Sequence, residues 1–136
     1  MDCIFCKIAN KEIPCHKVFE DEKVLAFLDI APVNPGHVLV IPKKHFQNFE
    51  EIPEDELCAL AKAVKKIGQA VKSRLGVEGY NVLENNGPAA GQIISHIHFH
   101  VIPRKSDDGL KHWPQNKYKE GEAGEIASKI TAGLNL

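Results

Sequence analysis

The sequence predicts a single α+β domain over residues 1–136: an antiparallel sheet of about five strands, one long helix and a short C-terminal helix. Three observations lead there. Pro53–Leu75 carries Leu57, Leu60, Ala61, Val64, Ile67, Val71 and Leu75 on one helical stripe. Ser95–Arg104 reads SHIHFHVIPR, with polar and apolar residues alternating from His96 to Val101, which is a strand pattern. The other strand-like runs stand in groups before and after the long helix. They do not alternate with helices, so an antiparallel meander is expected rather than a βαβ chain.

Taken in order, Cys3-Ile4-Phe5-Cys6 is a Cys-x-x-Cys motif, with Ile4, Phe5 and Ile8 spaced for a short apolar helical turn. The motif alone is compatible with half a zinc site, a redox pair or two small buried residues. Val18–Glu20 and Val24–Leu28 flank the polar turn Asp21-Glu22-Lys23, a hairpin signal. Asp29 follows at the strand end. By residue type it suits a turn before Ala31-Pro32, or a ribose contact beside Phe27 and Ile30. Pro32–Gly36 is a turn cluster, and His37–Ile41, HVLVI, gives the next strand, flanked by His37 and His45.

The long helix has Pro53, Glu54, Asp55 and Glu56 at its start, and Lys72, Arg74 and a capping Gly76 at its end. It reads as scaffold, and Cys58 as a packing residue. Tyr80–Leu83 is a strand leading into Glu84-Asn85-Asn86-Gly87. Pro88-Ala89-Ala90-Gly91-Gln92 is small and Gly-rich, suited to letting backbone approach an anion, with Asn85 and Gln92 as neutral donors. After Arg104 comes a solvated loop, then His112-Trp113-Pro114 with the sole Trp. Gly121–Leu134 is a short helix with Ile126, Ile130 and Leu134 four apart.

A net charge of −1 gives no broad electrostatic footprint for nucleic acid. No apolar run approaches the ~20 residues that span a membrane. The start resembles no signal peptide, so a cytoplasmic location is expected, with Cys3, Cys6, Cys15 and Cys58 as thiols or metal ligands.

The chemistry concentrates in Ser95–Arg104. His96, His98 and His100 recur every second residue, placing three imidazoles on one strand face and Ile97, Phe99 and Val101 on the other. With the apolar face in the core, the histidines are expected on the open one. Such a row can ligate a metal, or present one ring as a nucleophile positioned by its neighbours.

SHIHFHVIP resembles the His-φ-His-φ-His-φ-φ signature (φ apolar) of the histidine triad family of nucleotide hydrolases and transferases. So do CIFCKI, Ile13-Pro14, the run from Val18 to His45, ENNGPAAGQ and HWP, which together look like its Hint-type nucleoside phosphoramidase branch. The resemblance implies a homodimer acting on a purine nucleotide. It makes His98 the nucleophile and gives the phosphate oxygens to His100, Gln92 and the backbone at Gly91, with Asn85 nearby. Asp29 would bind the ribose, Ile13, Phe27 and Ile30 would wall the base, and His37 would support the nucleophilic end. It further implies a structural zinc on Cys3, Cys6, His45 and His96. One departure stands out: Ile93 follows Gln92 where relatives often have a serine. Dinucleoside polyphosphate hydrolysis and nucleotide binding with little turnover are the alternatives.

Overall fold

The computed structural model describes residues 2–134. Helix α1 spans Ile4–Ala9, strands β1 Lys17–Glu20, β2 Val24–Leu28 and β3 Val38–Pro42, and helix α2 Glu54–Leu75. Strand β4, Gly79–Glu84, is followed by a 3-10 turn at Pro88–Ala90, strand β5 Phe99–Arg104 and helix α3 Glu122–Leu134. The sheet is antiparallel throughout, in the order β1-β2-β3-β5-β4. It is therefore not a plain meander. The long α2 crosses over, β4 takes the far edge, and β5 returns to fill the gap beside β3.

Local chemistry accounts for the boundaries. Asp21 Oδ1 accepts hydrogen bonds from the N–H groups of Lys23 and Val24 and so turns β1 into β2. Pro53 is the residue capping α2 rather than its first helical residue, and Gly76 closes the helix at φ +64°. Strand β5 is shorter than the alternation predicts, because its ladder with β3 runs only from Val38–Val101 to Val40–Phe99. Two steps further the register would set Pro42 opposite Ile97, and proline brings no N–H to a ladder. The Ile97 N–H bonds instead to the carbonyl of Phe46. His96 and His98 thus lie on an extended lead-in to the strand.

The sheet has a core on both faces. Val24, Ala26, Val38, Val40, Ile97 and Val101 pack with Leu60, Val64, Ile67 and Val71 of α2. Leu25, Phe27, Leu39 and Ile41, the alternate residues of β2 and β3, pack with Phe5 and Ile8 of α1. The expected open face is thereby corrected: His96, His98 and His37 are buried on it, and only His100 is half-buried. Two scaffold expectations also change. Cys58 faces solvent, and α3 buries none of its residues, its Ile126, Ile130 and Leu134 stripe lying exposed. No helix among the described residues is long and apolar enough to cross a membrane.

Candidate active site and metal centre

Helix α1 is too short to stand alone; it is held by what it packs on. Phe5 lies edge-on to Phe27 at 5.7 Å, to His96 at 5.9 Å and to His98 at 5.1 Å between ring centroids. Seating Phe5 brings the flanking cysteines to two histidines more than thirty residues away in sequence. Cys3 Sγ lies 3.5 Å from His96 Nδ1, and Cys6 Sγ lies 3.4 Å from His45 Nδ1 and 3.6 Å from His96 Nδ1. All four donor atoms fall within 4.8 Å of one another, so the group can hold a metal ion.

Its chemistry fits a cation. The His96 Nε2–H donates to the Pro42 carbonyl at 2.8 Å, which leaves Nδ1 as a lone pair aimed at the thiols. Burial first, and then the charges at His45 and His98, takes the His96 ring down to about 4, so it is neutral and able to ligate. Burial and then Cys3 push the Cys6 thiol up. Two thiolates at this spot call for a positive ion between them.

A cavity of about 330 Å³ opens beside this cluster on the α1 side of the sheet. Ile13, Phe27, Asp29, Ile30, Asn85, Gly91, His98 and His100 line it, as do Phe5, Leu39, Ile93 and Ile94. Strand β2 supplies Phe27 and delivers Asp29 at its end, and the turn after β4 supplies Asn85 and Gly91. Gly91 sits at φ +94°, which a side chain would strain, and so turns the loop back toward the strand. Asp29 takes the turn role and also lines the cavity. Its Oδ1 accepts the Ala31 N–H at 2.9 Å as a turn residue, and its Oδ2 lies 3.8 Å from His37 Nε2.

Gln92 is not brought to the cavity. Its side chain is buried, Oε1 accepting from the Gly87 N–H and Nε2 donating to the Gln47 and Ile94 carbonyls. Among the residues the sequence singled out, it is the one whose polar atoms are already committed to backbone. Phe5 was overlooked as a contact of His98, although its place inside the Cys-x-x-Cys motif marks it.

The hydrogen bonds assign the tautomers of His98, His37 and His100. His98 Nδ1–H donates to the His96 carbonyl at 2.8 Å, leaving Nε2 with the lone pair. His37 Nδ1 accepts the Val33 N–H at 3.1 Å, so its Nε2–H donates to His100 Nδ1 at 2.9 Å. His100 then carries its remaining proton on Nε2. Burial is the first cause lowering all three rings, taking His100 to about 4, while Asp29 opposes it. At neutral pH the site presents one unprotonated ring nitrogen and, next to it, one N–H donor. Asp29, His37 and His100 also lie within 4.8 Å of one another, but the chain of hydrogen bonds uses the His37 nitrogens and His100 Nδ1.

A family model described as "HIT domain" matches residues 10–107. The chain belongs to the HIT domain family. A Schizosaccharomyces pombe protein named adenosine 5′-monophosphoramidase hnt1 is 44% identical over 136 residues, covering 98% of this chain and 99% of that one. The crystal structure of a HIT family member from Bacillus subtilis matches at a TM-score of 0.89 and 43% identity, over 97% of this chain and 96% of that one. A zinc-bound histidine triad family protein from Mycobacterium smegmatis matches at 0.78 and 34% identity, over 97% and 98%.

Proposed function

We propose that this HIT protein hydrolyses nucleoside 5′-phosphoramidates or related nucleotide conjugates through a nucleotidyl-histidine. The observation that carries the reading is the His98 tautomer: Nδ1 is tied to the His96 carbonyl, which leaves Nε2 nucleophilic on a ring lining the cavity. The relatives named adenosine 5′-monophosphoramidase support it. The nucleoside lies toward Asp29, with the base against Ile13, Phe27 and Ile30, an apolar lining that suits a purine. His98 Nε2 attacks the α-phosphorus and the P–N bond to the amine breaks, the amine leaving with an added proton. His100 Nε2–H and Asn85 hold the phosphoryl oxygens, and His37 fixes His100 as the donor. Water then attacks the phosphorus, releasing the nucleoside monophosphate and restoring His98. Gln92 holds the loop that carries Gly91.

We assign zinc to Cys3, Cys6, His45 and His96. Tetrahedral zinc at ordinary bond lengths places a sulfur and a nitrogen ligand about 3.5 Å apart, close to the spacings of this cluster. Four protein ligands close the site, so the metal's part is structural, pinning α1 to the sheet. The four free cysteines fit a reducing, cytoplasmic setting. The exposed C-terminal arm supports homodimerisation. The described stretch from Leu110 to Leu134 is almost wholly exposed, Trp113 and the Ile126, Ile130 and Leu134 stripe included, and a second copy covers it.

The deciding assay offers adenosine 5′-phosphoramidate and a diadenosine polyphosphate side by side. Release of AMP and ammonia from the first, at a clearly higher kcat/KM, is expected. Preference for the second, or tight binding of nucleotide with neither cleaved, replaces the reading.

A further inference from the structure

Three isoleucines at the mouth of the cavity face water although they line it: Ile93 is 90% exposed, Ile30 93% and Ile4 44%. Ile30 belongs to the end that takes the nucleoside. Ile93 and Ile4 are set apart from it by a second groove, whose lining includes neither Asp29 nor Ile30. With Ile94 they form a wall of that groove, which is about 420 Å³ and runs past Cys3, His45 and Ser95. A phosphorus held at His98 and His100, with its nucleoside toward Asp29, leaves this side for the group that departs.

We infer that Ile93 and Ile4 form an apolar shelf for the leaving group, making the preferred substrates nucleoside 5′-phosphoramidates of amines with an apolar body. Ile93 acts as a specificity-determining residue, through contact alone. The reaction is unchanged: the P–N bond breaks, the amine takes up one proton, and water later supplies the oxygen that replaces it on phosphorus. The inference rests on the phosphoramidase reading and adds to it the class of amine.

The test compares adenosine 5′-phosphoramidates of benzylamine and of ethanolamine, amines of similar basicity that differ in apolar surface. A shelf that covers about 55 Å² of ring favours the benzyl compound about tenfold in kcat/KM. That ratio is expected to fall toward one in Ile93→Ser, and to persist in Ile93→Leu. The exposure of Ile93 means the substitutions leave the fold intact, checked by an unchanged melting temperature. A wild-type ratio near one, or a ratio that Ile93→Ser leaves unchanged, overturns the shelf. Should neither compound be cleaved, the phosphoramidase reading fails by itself. The same pair measured as equilibrium ligands then decides the shelf: tighter benzyl binding that Ile93→Ser abolishes upholds it, and equal binding overturns it.

Discussion

His96 and His98 sit two residues apart on the same lead-in to β5, yet their hydrogen bonds are mirror images. His96 gives its Nε2–H to the Pro42 carbonyl and keeps Nδ1 free beside Cys3 and Cys6. His98 gives its Nδ1–H to the His96 carbonyl and keeps Nε2 free in the cavity. The side chain is the same, and each is buried. On the proposed function, what would separate a metal ligand from a nucleophile here is which nitrogen a backbone carbonyl has claimed. A second difference is closure. Four side-chain donors surround the His96 side, whereas the His98 side opens on a cavity large enough for a substrate.

The largest effect that can sharpen this contrast is loss of the free Nε2. His98→Ala is expected to lower kcat about a thousandfold or more, with the melting temperature within a few degrees of wild type. Near-normal turnover would remove His98 from the chemistry. On the other side, Cys6→Ala should act through stability. A drop in melting temperature of about 10 °C is expected, along with loss of zinc from protein purified without chelator. An unchanged melt with full activity would show that the thiols pack rather than ligate.

A smaller effect comes from the third histidine. His37→Gln keeps an amide near His100 Nδ1 but no longer fixes its proton, and kcat is expected to fall about tenfold to a hundredfold with KM little changed. A rise in KM alone would mean that His37 only shapes the cavity. The smallest effect is on pH dependence. His37 and His100 lie below the ordinary histidine range, His100 at about 4. The unfolded chain takes up protons first, so the stability due to these buried neutral rings is present above about pH 6.5. It is lost as the pH falls from there toward 4. The acid limb of kcat/KM is accordingly expected below pH 6.5, and a limb at or above 6.5 would contradict the neutral relay.

Much of this was legible in the residues. The period-two alternation put His96, His98 and His100 on one side of the chain, and the helical stripe set α2 to within one residue, because both patterns report local geometry. The length of β5 was not legible, since it depends on Pro42 of another strand. The burial of the histidine face had a signal that went unused: VLAFL and HVLVI are continuous apolar runs, the mark of strands covered on both sides. Gln92 looked like a phosphate donor because residue type says nothing about where an amide is already spent. The α3 stripe shows the opposite limit, for periodicity identifies an apolar face without identifying what meets it.

The Cys3–His96 contact joins residues 93 positions apart. A cation on those donors would staple about two thirds of the chain into one loop. Cross-linking a loop of that length removes about 4–5 kcal/mol of entropy from the denatured chain in the simple polymer account. The same contact sets a schedule, for the first helix made has no lasting place until the last strand arrives. Synthesis from the N-terminus would therefore keep both thiols waiting, reduced and exposed, until His96 has emerged.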